Sequence, residues 1–136
     1  MYTNILVAID PSHGPDQEAA LHMATQLADD SMSQITALTV LEPIPASVVS
    51  EVPDDITTRA ADLALADLRN IVGVQSEVKT VLRHGKAGPT IVDYASEHGI
   101  DCIVIASHKP GLSDYFLGST AARVVRHAPC SVHVMR

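Results

Sequence analysis

The chain has 136 residues, of which 46% are hydrophobic and 18% charged, and its formal net charge is −7. That length and apolar content suit one folded domain over residues 1–136. The acidic balance argues against a duplex nucleic-acid partner, and no apolar run approaches the ~20 residues of a membrane span.

Asp10 and Pro11 interrupt the first apolar stretch, so it does not read as a secretory signal. Cys102 and Cys130 are too few and too far apart for a disulfide framework or a Cys-x-x-Cys metal site, and a reduced cytoplasmic protein is expected. Aromatic residues make up only 3% of the chain, so the core must be built from Val, Ile, Leu and Ala, as in parallel sheets covered on both faces. Residues 1–100 hold 5 basic and 14 acidic side chains, whereas residues 101–136 hold 4 and 2. An anionic ligand is therefore expected to meet the last third of the chain.

Asn4 to Ile9 is a short apolar run closed by Asp10-Pro11 and predicts a buried strand. Glu18 to Asp29 shows helical spacing, with Ala20, Met23, Ala24, Leu27 and Ala28 on one face. Ile35 to Leu41 is rich in β-branched residues and predicts a second strand. Residues 42–55, with three prolines, read as a mobile connection. Helical spacing returns from Ile56 through Ala60, Leu63, Ala64, Leu68 and Ile71, with Gly73 as a C-terminal cap. Val78 to Leu82 predicts a third strand. A short helix follows, with Gly88 as its cap and Pro89 at its first position. Ile100 to Ala106 predicts the fourth strand. After a polar segment, Gly118-Ser119 opens a last helix through Ala122 and Val125, and Ser131 to Met135 forms the fifth strand. This alternation predicts an α/β fold, a parallel sheet with helices on both faces.

Ligands of such sheets sit beyond the carboxyl ends of the strands, where strand order reverses. If the first strand is central and the fourth lies beside it, that place is between Asp10 and the loop starting at Ala106. Asp10 is either an acceptor for a ribose or an adenine amino group, or a turn-forming carboxylate. Gly118-Ser119 is either a phosphate cradle at a helix N-terminus or an ordinary serine cap. His108, Lys109 and Lys86 are candidate phosphate partners or simply solvated side chains. No Walker motif, His-Glu-x-x-His or Gly-x-Ser-x-Gly occurs, and the seven histidines lack ligand spacing. Both cysteines read as small buried hydrophobes.

The segments NILVAID (4–10), HGKAGPTIVDYA (84–95), DCIVIASHKPG (101–111) and LGSTAARVVRHAPCSVHVMR (117–136) resemble the universal stress protein family over essentially the whole chain. The resemblance implies a five-stranded parallel sheet ordered 3-2-1-4-5, the adenine nucleotide alpha hydrolase-like layout. It also implies a homodimer through residues 131–136, and a regulatory role in the stress response. ATP or AMP, with or without Mg²⁺, is the implied ligand, and enzymatic activity amounts at most to slow ATP hydrolysis. The implied nucleotide-binding positions are Ala8, Asp10, Val40, Ile105, Ala106, His108, Lys109, Gly118, Ser119 and Thr120. Ala106 stands where the family pattern has its first glycine, Lys109 or Pro110 near the second, and the loop is one residue shorter. The run Ser-His-Lys-Pro resembles a filament-type subgroup. The altered glycines keep a second reading open, that of a nucleotide-free dimeric interaction module. An enzyme of the ATP-pyrophosphatase or electron-transfer type would need a catalytic group absent from these motifs.

Overall fold

The apolar run near the N-terminus becomes the middle strand, β1 (Asn4–Ala8), of the computed structural model, which describes residues 1–11, 14–43, 54–73, 77–107 and 117–136. In chain order there follow α1 (Gly14–Leu27), β2 (Gln34–Leu41), α2 (Asp54–Val72), β3 (Lys79–His84), α3 (Ala87–Glu97), β4 (Cys102–Ala106), α4 (Ser119–His127) and β5 (Ser131–Met135). The five strands are parallel and ordered β3-β2-β1-β4-β5. This is the expected 3-2-1-4-5 sheet.

Two-residue alternation along the strands divides the core into two halves. Leu6 and Ala8 of β1 face one side, with Leu38, Ile103 and Ile105, and meet Ile91, Tyr94 and Ala95 of α3 and Ala121 and Val124 of α4. Ile5 and Val7 face the other side, with Ala37, Cys102 and Val104, and meet Ala20 and Ala24 of α1 and Leu68 of α2. Helices therefore cover both faces. At the opposite end of the sheet from the site, Asp101 ties β1 to β4. Its carboxylate accepts hydrogen bonds from Thr3 N at 2.8 Å, Thr3 Oγ1 at 3.0 Å and Asn4 N at 3.1 Å.

Several elements differ from the sequence reading for identifiable reasons. Helix α1 begins at Gly14, before the apolar spacing, because residues of a first turn need not face the core. Strand β3 continues past Leu82 to His84, paired with Leu41, its polar end concealed by Arg83 and His84. Arg83 is no disruption there, since its guanidinium lies 5.4 Å over the Tyr94 ring centroid. Helix α3 starts at Ala87 with Lys86 as its cap, which puts Pro89 third. A missing N–H is harmless anywhere in that first turn. In α2, Leu68 and Ile71 pack toward the sheet as expected and are joined by Leu65 and Val72, whereas Ala60 and Leu63 are exposed. In α4, Ala121 and Val124 face the core, while Val125 is exposed. Most of the 42–55 connection lies outside the described residues.

Candidate functional site

Strand order reverses between β1 and β4, and there a cavity of about 360 Å³ opens at the carboxyl ends of the strands. Its floor is made by Ala8, Leu38, Val40 and Ile105, side chains of the sheet face covered by α3 and α4. Small residues create the space. Ala8, Ala87 and Ala106 all line the cavity where larger side chains would fill it.

Beyond β1 the backbone is held by a series of hydrogen bonds. Ile9 N donates to Leu38 O at 2.9 Å, and the Thr39 hydroxyl donates to Ile9 O at 3.1 Å. Asp10 N donates to Gln17 Oε1 at 3.0 Å, from a glutamine that is only 4% exposed. The buried amide thus fixes the turn that carries Asp10 to the cavity rim, where its side chain is exposed.

The opposite wall is the start of α4, with Gly118, Ser119 and Thr120. Gly118 is the cap residue and accepts the first intrahelical bond, from Ala122 N at 2.8 Å. Gly118 has no side chain with which to cap the helix, and the first-turn amides add positive character to the cavity. Gly118 N itself donates to the Ser107 hydroxyl at 3.0 Å, and Ser107 N donates to Met135 O at 2.7 Å. Ser107 thereby joins the ends of β4 and β5 to the start of α4.

Of the positions implied by resemblance, Ala8, Asp10, Val40, Ile105, Ala106, Gly118, Ser119 and Thr120 all line this one cavity. His108 and Lys109 lie outside the described residues. Lys86 is an exposed cap of α3 and is not part of the lining. Sequence reasoning missed Gln17 and Ser107, whose partners lie seven and eleven residues away at spacings that form no motif. It also missed Asp16 and Glu42, which with Asp10 give the lining three carboxylates. Among the described residues the lining contains no Lys, Arg or His. Charge is therefore divided, with carboxylates contributed from just beyond β1 and β2 and from α1, and amide and hydroxyl donors from the start of α4.

The cysteines sit apart from the cavity. Burial, with Cys130 and Asp101 nearby, pushes the Cys102 thiol up to about 11, and burial also raises Cys130. Neither is an activated nucleophile.

An open parallel sheet with its cavity at the β1–β4 reversal defines a doubly wound α/β protein, the cavity lying at its switch point. The chain belongs to the universal stress protein family, whose model matches residues 1–136. It is similar to the universal stress protein UspA of Lactobacillus plantarum, at 31% identity over 99% of this chain and 98% of that one, with a TM-score of 0.71. It shares its fold with a universal stress protein of Archaeoglobus fulgidus solved in complex with dAMP, at 22% identity and a TM-score of 0.66, over 99% of this chain and 98% of that one. A universal stress protein solved in complex with cAMP matches at 20% identity and a TM-score of 0.64, over 99% of this chain and 97% of that one.

Proposed function

We propose that this chain binds an adenine nucleotide, ATP or AMP, in the β1–β4 cavity and acts as a homodimeric regulatory protein of a stress response in the cytoplasm. The observation that carries this reading is the pairing, across one cavity, of Asp10 with the glycine-led N-terminus of α4. The carboxylate suits ribose hydroxyls, the apolar floor of Val40, Leu38 and Ile105 suits a base, and the helix start suits a phosphate. Family structures solved with dAMP and cAMP support an adenine ligand. In this reading Mg²⁺ arrives bound to the triphosphate. Residues 1–136 act as one domain in this reading, and the likeness of the run Ser107-His108-Lys109-Pro110 to a filament-type subgroup supports membership there. The dimer forms through β5, which is an edge of the sheet.

One feature favours the alternative of a nucleotide-free interaction module. Gly118 N–H is already occupied by Ser107 beside a lining that carries three carboxylates. Calorimetric titration with AMP, ATP and ATP–Mg²⁺ separates the two. Saturable binding of at least one is expected, and no heat with any of them supports the interaction module.

A further inference from the structure

Helix α2 carries two apolar faces. One packs toward the sheet through Leu65, Leu68, Ile71 and Val72. The other looks away from it, where Leu63 is 65% exposed and Ile56, two turns earlier, is 48% exposed. A lone exposed leucine is ordinary. The order of the residues around this one is not. Ala60 and Ala66 stand three residues to either side of Leu63, and Arg59 and Asp67 stand four to either side, all of them exposed. The helical period brings these positions to the face that Leu63 occupies. The ridge Arg59-Leu63-Asp67 thus runs from a cation through an apolar centre to an anion. Turned end for end, it is its own complement.

We propose that a second copy of this chain docks on this face, the two α2 helices crossing antiparallel about a twofold axis at Leu63. The two Leu63 side chains meet at the axis. Ala60 of each copy faces Ala66 of the other, small enough for close approach of the helices. Each Arg59 meets the partner's Asp67, so the charge pair forms twice. An isologous contact requires that each residue find its counterpart reciprocally, and opposite charges at equal distances from the centre satisfy that. In this register Asp62 faces Ala64 of the partner, so like charges do not oppose one another. Helix α2 packs on β2 and β3, toward the opposite edge of the sheet from β5. The contact is therefore separate from the pairing proposed for β5, and it is independent of any ligand in the cavity. One helix pair buries less than the ~1,200 Å² of a standard interface, which puts its dissociation constant at roughly 0.1–1 mM.

The test is sedimentation equilibrium at fixed ionic strength and at protein concentrations up to about 1 mM. It uses Val134→Pro, which removes a backbone donor from β5 and leaves the α2 contact to be read alone. Should that variant melt early, wild type replaces it, and the same changes are read on its largest species. Dimerisation is expected, weakened about tenfold by Arg59→Asp or by Asp67→Arg, since each sets like charges against each other twice. Leu63→Lys, which brings two charges together at the axis, should weaken it as well. Combining Arg59→Asp with Asp67→Arg in one chain restores association. So does an equimolar mixture of the two single variants, in which every facing pair is again opposite in charge. Arg59 also has a partner within its own chain. Mixing with a second copy does not repair an effect inside one chain, so the mixture isolates the contact between copies. A protein that stays monomeric throughout overturns the proposal. A dimer that Leu63→Lys and both charge reversals leave unchanged also overturns it, as does a mixture that associates no better than either single variant.

Discussion

Gly88 of α3 and Arg123 of α4 are in such close contact that a Cβ on Gly88 would lie 2.7 Å from Arg123 Cγ and 3.0 Å from Arg123 Cβ. Gly88 is buried, and α3 and α4 share the core on the cavity side of the sheet. The glycine is there for close approach of the two helices that wall the site.

Gly88→Ala should therefore destabilise the protein despite alanine's higher helix propensity. Overpacking costs about 1–3 kcal/mol, against a propensity gain of about 1 kcal/mol. Urea unfolding should show a lower midpoint for Gly88→Ala. Adding Arg123→Ala removes the 2.7 Å contact with Cγ and should recover most of the loss. A single variant as stable as wild type would mean that the helices separate freely.

Asp101 predicts how stability depends on pH. Burial raises its pKa, but hydrogen bonds from the Thr3 and Asn4 amides and the Thr3 hydroxyl outweigh that, and its carboxyl is held below the usual carboxylate range. A depressed folded-state pKa contributes stability that is present above the unfolded-state value and is lost as pH falls through the folded one. Asp101→Asn should cost about 1 kcal/mol at neutral pH, a figure discounted for partial exposure. The difference from wild type should stay constant down to about pH 4 and shrink below it. A difference that is the same at pH 3 and pH 7 would rule out the ionised carboxylate as the source.

The edge strand gives a third expectation. Met135 O accepts from Ser107 N just beyond β4, so by two-residue alternation the N–H of Val134 points away from β4 to the free edge. Val134→Pro then removes a donor that the chain's own sheet does not use. If β5 pairs with a second copy, light scattering should show a dimeric wild type and a monomeric Val134→Pro of nearly unchanged melting temperature. A monomeric wild type at micromolar concentration would exclude this interface.

Nucleotide binding should also raise thermal stability by mass action. At one hundred times its dissociation constant a ligand adds about 2.7 kcal/mol, which for a domain of this size is roughly 5–10 °C. Differential scanning fluorimetry with AMP, ATP and ATP–Mg²⁺ checks this. No shift at saturating concentrations of any of the three would speak against a ligand in the cavity.

Strands β1, β2, β4 and β5 were legible because buried strands are short apolar runs between breakers. The polar end of β3 was not, because Arg83 is accommodated by the Tyr94 ring, a contact no local pattern announces. The exposed face of α2 was misread because its apolar residues spread around more than one face. Ala60 and Leu63 fit the helical period as well as Leu65 and Leu68 do. At the site, Asp10 and Gly118 were legible as departures from apolar patterning at strand and helix ends. Gln17 and Ser107 were not, because their importance lies in hydrogen bonds that exist only once α1 and α4 have docked.

The most direct test of the central claim is an AMP titration of Gly118→Val beside wild type. The fold does not require glycine there, since φ −57° and ψ 151° suit any residue and, among the described residues, a Cβ would meet only Ser107 Oγ, at 3.8 Å. The variant should melt like wild type but lose AMP binding by more than tenfold, because its side chain occupies the approach to the α4 N-terminus. Equal AMP affinity in a folded Gly118→Val protein would contradict a phosphate site at the start of α4.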